Sequence, residues 1–191
     1  MKDIYRGALV RLSDDSPETL AKAFVKWDRD TEQHRLADSD PAQLWSEKKI
    51  KEFTEKRAEN NSKSFRFSIH TLADDKLIGG VGLWLNSWTH ADTWLGISIG
   101  ERDYWGKGYG SEAVNLAVQY AFLELNLRRV SLGLHAYNER ALKAYEKVGF
   151  KLEGRTRGDG LRDGVRFDSL WMGILREEWL GLNTRPAKDL K

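Results

Sequence analysis

The sequence predicts an α+β domain built on a mixed, mostly antiparallel central sheet flanked by helices. Three observations carry that expectation. Apolar and polar residues alternate between positions 65 and 99, the period of half-buried strands. The spacing then changes to steps of three and four along Val114, Ala117, Val118, Ala121, Phe122 and Leu125, the mark of a helix with one apolar face. Alternation returns after it, interrupted by a second short helix pattern, so strands and helices are interleaved in one chain.

Taken from the amino end, residues 9–12 suit a short strand. Pro17 belongs in a first helical turn, where its missing N–H costs nothing, and a helix follows through Leu20, Phe24 and Trp27. Asp40-Pro41 opens a second helix signal that runs to about Asn60, with Leu44, Trp45, Ile50 and Phe53 among charges that read as a solvated face. Phe65, Phe67 and Ile69, then Leu77, Val81, Leu83 and Leu85, then Leu95, Ile97 and Ile99 predict three meandering strands, with turns at Asp74-Asp75 and at 90–92. Gly79, Gly80 and Gly82 are poor strand residues and point to a bulge or a close-packed neighbour. A loop over 101–110 precedes the long helix, which stops near Asn126. Val130, Leu132, Leu134 and Ala136 make the next strand, so strand 93–100, helix and strand 128–136 form a parallel crossover. A helix over 139–148 ends at Gly149, a residue suited to a left-handed cap. Strands 150–154 and 165–174 flank a glycine-rich hairpin at 158–164. One domain over 1–182 and a frayed polar tail over 183–191 complete the expectation.

Composition removes several function classes. The chain has 191 residues, with 31 Lys plus Arg against 29 Asp plus Glu and no concentrated basic stripe, so a nucleic-acid partner is not expected. The absence of cysteine removes thiol catalysis, thiolate zinc sites and a disulfide framework, and no metal is expected. No apolar run approaches the ~20 residues a bilayer crossing needs, and residues 1–6 lack the apolar core of a signal peptide, so no membrane partner and a cytoplasmic location are expected. The eight tryptophans read mostly as core or pocket lining. Trp84, Trp88 and Trp94 could wall an apolar or cation-binding pocket, with core packing favoured for at least two of them. Asp15, Glu18, Asp28 and Asp30 could attract a cation, and charged helix ends explain them equally well.

The most informative stretch is Tyr104-Trp105-Gly106-Lys107-Gly108-Tyr109-Gly110-Ser111. Alternating glycines after a strand and before a helix let backbone N–H groups converge on an anion, and the helix start adds partial positive charge. The loop is not the phosphate loop of nucleoside triphosphatases, because no Ser or Thr follows Lys107. Nor is it a dinucleotide fingerprint, because the spacing is G-x-G-x-G and a meander precedes it. Downstream, Asn138 follows a strand and can cap the next helix through its side chain. Tyr145 lies seven residues on at a similar azimuth, a position open to both core and catalytic readings.

The combination over 95–150 resembles the GNAT superfamily of acyl-coenzyme A N-acyltransferases. The pattern of Trp105–Gly110, Asn138, Tyr145, Gly149-Phe150 and Asp168 is most similar to its ribosomal-protein and spermidine acetyltransferase branches. The resemblance implies that acetyl-coenzyme A lies between two splayed parallel strands, 93–100 and 128–136 here. It implies that Ile97, Ser98 and Ile99 hydrogen-bond the pantetheine arm, and that the amides of Gly106, Lys107, Gly108, Tyr109, Gly110 and Ser111 hold the pyrophosphate. Asn138 would contact the cofactor, and Tyr145 would protonate the departing thiolate. An amine would attack directly, without an acyl-enzyme. Trp105 stands where the family loop commonly begins with Gln or Arg, and Trp94 where many relatives carry a glutamate that activates the amine. The general base is therefore unassigned: Glu101, His135 and Asp168 are candidates, with His135 read as a surface or satisfied histidine, and some relatives use water alone.

The implied function is N-acetyl transfer to a primary amine, a protein N-terminus or a small molecule such as a polyamine. An aminoglycoside-type antibiotic N-acetyltransferase is the nearest alternative, and a non-catalytic acyl-coenzyme A binding module is the alternative from another class. A homodimer is compatible with the resemblance.

Overall fold

In the computed structural model, which describes residues 3–59 and 63–183, the first strand is β1 (Val10–Ser13), followed by helix α1 (Pro17–Trp27) with Pro17 in its first turn. The Ser16 hydroxyl accepts the Thr19 N–H at that helix start, 3.2 Å away. The expected helix from Asp40 to Asn60 is corrected in two ways. A separate helix, α2 (Thr31–Ala37), precedes it, and the later helix, α3 (Glu47–Glu59), begins well after Pro41. Asp30 is the cap of α2, its carboxylate accepting the Gln33 N–H at 3.1 Å, so the turn at 28–30 starts a helix that the apolar pattern does not announce. Asn60 lies outside the described residues.

The alternating stretch forms β2 (Ser64–Thr71), β3 (Leu77–Ser87) and β4 (Asp92–Ile99), each antiparallel to the one before. Gly82 and Gly96, partners across β3 and β4, lie under the Trp84 ring: a Cβ on either would stand 2.8 or 2.9 Å from it. That is the close-packed neighbour the glycines announce. A short 3₁₀ turn, Arg102–Tyr104, leads into α4 (Tyr109–Leu123), then β5 (Arg129–His135), α5 (Glu139–Val148), β6 (Lys151–Arg162), β7 (Val165–Leu175) and α6 (Arg176–Asn183). β6 runs further than expected, to Arg162, so the hairpin turn is Asp163-Gly164. Helix α6 takes in Asn183, whose side-chain amide donates to the Trp179 carbonyl at 2.8 Å, where a frayed tail is expected. The rest of that tail, 184–191, lies outside the described residues.

The seven strands make one sheet in the order β1-β2-β3-β4-β5-β7-β6. Only β4 and β5 are parallel, and they pair for three positions: Asp92 with Arg129, Thr93 with Val130, Trp94 with Ser131. Beyond Trp94 they separate. Helix α4 lies on the sheet through Val114, Ala117, Val118, Ala121 and Phe122, all at most 1% exposed. Burial of a side chain the size of Phe122 stabilises by about 1.5–3 kcal/mol, so this face fixes where the helix start, and the glycine loop before it, must sit. No helix among the described residues is long and apolar enough to cross a membrane.

One carboxylate ties the loop end of α4 to β1. Glu112 accepts the N–H groups of Ala8 (2.9 Å), Leu9 (2.7 Å) and Val10 (2.8 Å). The Glu112→Ala variant is expected to lose roughly 2 kcal/mol in chemical denaturation, because these donors then lack a protein acceptor. A change under about 0.5 kcal/mol, the scatter of surface substitutions, would mean that water replaces the carboxylate without loss.

Candidate functional site

Where β4 and β5 part, a cleft of about 730 Å³ opens, bounded by β4, the glycine loop, the start of α5 and the end of α2. The loop reaches it by two left-handed residues, Gly106 (φ 70°) and Gly108 (φ 94°), and Gly108 is the cap residue of α4. Among the described residues, none of the N–H groups from Gly106 to Ser111 has a hydrogen-bond acceptor, whereas the next one, Glu112, donates to the Gly108 carbonyl at 3.0 Å. Six consecutive free donors at a helix start form a site for an anion. Trp105 braces them: its indole N–H donates to the Ile99 carbonyl at 2.7 Å, and the Arg140 guanidinium lies 3.7 Å from its ring centre. Arg140, Lys143 and Lys147, on α5, bring positive charge to the same cleft.

Of the residues anticipated from sequence, Ile97, Ser98, Ile99, Trp105, Gly106, Gly108, Gly110, Ser111, Asn138 and Tyr145 line this cleft. Lys107 and Tyr109 do not, and Tyr109 packs edge-on against Tyr104 with ring centres 5.1 Å apart. Asn138 is engaged at both ends of its amide, accepting from Ala141 N–H (3.1 Å) and donating to the Leu36 carbonyl (3.0 Å). It caps α5 and ties it to α2. Tyr145 is 7% exposed, and its hydroxyl has no protein partner among the described residues. Burial pushes its pKa up to about 12, so the phenol keeps its proton through the neutral range.

The three candidates for the general base fare differently. Glu101 does not line the cleft and is held by Lys26, by Lys76 at 3.0 Å and by the Trp27 indole N–H at 2.9 Å. Burial alone would raise its pKa, but these donors outweigh it and hold the carboxyl at about 2. A carboxylate so stabilised is a weak base, and it pins α1 to the end of β4. Asp168 lies on the β6–β7 hairpin, accepting from Gly158 N–H at 2.8 Å and paired with Arg155 at 2.5 Å. His135 does line the cleft, buried rather than at the surface, between Tyr137 and Phe167 with ring centres 5.1 and 4.9 Å away. Its Nε2 faces the Asp38 carbonyl at 3.3 Å, and its Nδ1 is enclosed with no partner among the described residues. Neither nitrogen is presented to an incoming molecule.

A second cavity of about 600 Å³ meets the first across β4, and the two share Gln33, Ala37, Asp38, Gly96, Ile97 and Ser98. Its walls are aromatic and acidic: Phe24, Trp27, Trp45, Phe53 and Trp84, with Asp14, Asp28, Asp38 and Asp40. None of Trp84, Trp88 and Trp94 is packed in the core. Trp84 walls this cavity, Trp94 lines the cleft edge-on to Trp171, and Trp88 stands exposed in a turn. The acidic cluster of the sequence is also divided. Asp15 pairs with His70 at 2.7 Å, Glu18 with Lys51, and Asp30 with Arg102. Asp28 alone has no ion pair or side-chain hydrogen bond among the described residues, and burial raises its pKa, His34 offsetting this only in part. Helix α2, and with it Gln33, which donates to the Ser98 hydroxyl, was missed by the apolar pattern. The signal that could have found it is Asp30-Thr31-Glu32-Gln33, a capping sequence. Among the described residues no group of three or more His, Asp or Glu could hold a metal ion.

Residues 9–151 match the family described as acetyltransferase (GNAT) domain. An uncharacterized N-acetyltransferase of Bacillus licheniformis, p20, is 31% identical over 116 residues, 61% of this chain and 65% of that one. Spermidine N(1)-acetyltransferase of Escherichia coli K12 is 32% identical over 88 residues, 46% of this chain and 47% of that protein, so the match spans less than two thirds of either relative. The fold is that of spermidine N-acetyltransferase from Vibrio cholerae, solved with CoA and spermine, at a TM-score of 0.77 and 24% identity over 90% of this chain and 96% of that one.

Glu101 offers a clean separation of support from chemistry. Its stabilising share is complete above the ordinary glutamate pKa of 4.5 and is lost as pH falls toward about 2. Glu101→Gln is expected to lower stability near neutrality by on the order of 2–3 kcal/mol and to flatten the acid limb of unfolding. Turnover far below the melting temperature is expected to stay within about threefold, since loss of a general base costs about 10²–10⁴. A loss of that larger size in a folded variant would return Glu101 to the chemistry.

Proposed function

Since the chain belongs to the GNAT acetyltransferase family, we propose that it transfers the acetyl group of acetyl-coenzyme A directly to a primary amine, with the coenzyme in the β4–β5 cleft and the amine in the second cavity. The observation that carries this is the meeting of the two cavities at Gly96–Ser98, one with free amides and Arg140, Lys143 and Lys147 beside Asp38 and Asp159, the other with Asp14, Asp28, Asp38 and Asp40 beside Arg66. A polyanionic coenzyme tail suits the first, and a cationic amine suits the second. The relatives named for spermidine support an amine acceptor of this kind.

The residues fit the coenzyme. The donors of 106–111 would bind its pyrophosphate, and Arg140 and Lys143 would add charge along α5. The strand separation leaves the β5-facing edge of β4 from Ile97 to Ile99 without a strand partner; the Ile99 carbonyl is taken by the Trp105 indole, and the remaining groups of this edge would align the pantetheine amides and polarise the thioester carbonyl. The amine nitrogen forms its bond to the carbonyl carbon as the carbon–sulfur bond breaks. Tyr145, neutral and within the cleft, gives its hydroxyl proton to the leaving sulfur and is reset from solvent. Asp28 draws the ammonium into the cavity. Its raised pKa makes it a stronger base than an ordinary aspartate, which suits it to take the amine's proton directly or through water. Such a reaction draws on acetyl-coenzyme A where cells keep it, in the cytoplasm.

The test is thiol release from acetyl-coenzyme A in the presence of primary amines, compared between the parent protein and Tyr145→Phe. The variant is expected to lower kcat by about 10²-fold or more, the scale of a lost general acid. Coenzyme affinity by calorimetry is expected to move less than about threefold, because the ring and its packing are kept. Equal losses in both would make Tyr145 a packing residue.

A further inference from the structure

The second cavity holds charge of both signs, and its guanidinium meets no carboxylate. Arg66, on β2, lines that cavity with its guanidinium 5.6 Å from the centre of the Trp84 ring. The ring is held flat against the sheet by the glycines at 82 and 96, which leave no Cβ in its place. Among the described residues Arg66 makes no hydrogen bond and no ion pair, although four aspartates line the same space. Arg11, Arg102, Arg129 and Arg155 are paired with carboxylates, whereas Arg6, Arg29, Arg157 and Arg176 share with Arg66 the lack of an ion pair among the described residues; what marks Arg66 is its place in a cavity wall against the Trp84 ring. The coenzyme cleft repeats the arrangement, with Arg140 against the Trp105 ring, no carboxylate in ion-pair reach, and free amides beside it. An arginine resting on an aromatic face with its donors unused is arranged to take a planar anion in two parallel hydrogen bonds.

We propose that the acceptor carries a carboxylate as well as its amine, the carboxylate docking on Arg66 while the amine lies toward Asp28 and the shared wall at Gly96–Ser98. This rests on the reading of the second cavity as the acceptor site. The acceptor class is then a small amino-acid-like molecule, and a cavity of about 600 Å³ accommodates one. A purely cationic chain would satisfy the aspartates but would set its own charge against Arg66. A carboxylate removes that repulsion and occupies the unused donors. Arg66 is exposed, so water serves its donors in the free protein, and the discrimination comes from the two parallel hydrogen bonds that only a carboxylate-bearing acceptor can make.

The experiment uses substrate pairs that differ only in the carboxylate: lysine and cadaverine, ornithine and putrescine, histidine and histamine, tyrosine and tyramine. Spermidine, an aminoglycoside and an N-terminal peptide complete the panel. The full chain is assayed for thiol release from acetyl-coenzyme A, as the parent protein, as Arg66→Gln and as Arg66→Lys. In at least one pair the carboxylate-bearing member is expected to exceed its partner by about tenfold or more in kcat/KM. Arg66→Gln is expected to collapse that ratio toward one through KM, and Arg66→Lys to restore part of it, with acetyl-coenzyme A affinity reporting that each variant is folded. Preference for the decarboxylated members, or acetylation confined to spermidine, aminoglycosides or peptides, overturns the proposal and leaves the transferase reading standing. So does an Arg66→Gln loss that falls equally on both members of a pair. Acetyl-coenzyme A binding without acetylation of any amine would instead remove the transferase reading, and this proposal with it.

Discussion

The parting of β4 from β5 after Trp94 governs the rest of the molecule. Two parallel strands that begin in register and then diverge leave backbone donors and acceptors facing a gap, and unpaired buried peptide groups are costly unless water or a ligand meets them. Helix α2 is tied to both sides of the gap. Gln33 donates to Ser98 on the β4 side. On the far side Asn138 donates to the Leu36 carbonyl, and Tyr137 donates to the Arg35 carbonyl at 2.5 Å. The helix is thus a bridge with one foot on each bank, and its residues Gln33, Ala37 and the following Asp38 are the partition that both cavities share.

Electrostatics then divides the labour between the two sides of the partition. The cleft combines the free amides of Gly106, Gly108, Gly110 and Ser111 with Arg140, Lys143 and Lys147, while the second cavity gathers Asp14, Asp28 and Asp40, and Asp38 lines both. On the proposed function, an anionic coenzyme and a cationic amine would each be attracted to a different face of the same strand, and their reactive ends would meet at the few residues the cavities have in common. The ion pairs around this junction serve a different purpose. Lys26, Lys76 and the Trp27 indole neutralise Glu101, and Arg102 neutralises Asp30, so the helix ends beside β4 are locked without placing a charge in either cavity.

Features fixed by local backbone chemistry were legible from sequence. The glycine loop, the apolar face of α4, the Asn138 cap and the Gly149 stop depend on residues within a few positions of one another, and the structure puts each where the spacing indicates. What was not legible depends on partners far along the chain. Glu101 reads as a free acid until Lys26 and Lys76 are seen against it. Asp28 is indistinguishable from Asp15, Glu18 and Asp30 until those three find side-chain partners, two of them brought by α3 and β2. Helix α2 escaped because it buries no residue and its stability comes from a cap and from tertiary ties rather than from an apolar stripe. Arg66 and Arg140 carry no sequence mark at all, since an unpaired arginine is defined by what fails to reach it.

The most direct measurement is a diffraction structure of the full chain with acetyl-coenzyme A bound. The account requires the pyrophosphate oxygens at about 2.7–3.2 Å from the N–H groups of residues 106–111, with the pantetheine arm along Ile97–Ile99 in the space between β4 and β5. Coenzyme lodged in the aromatic, acidic cavity instead, or a glycine loop whose amides make no contact with phosphate, would contradict it.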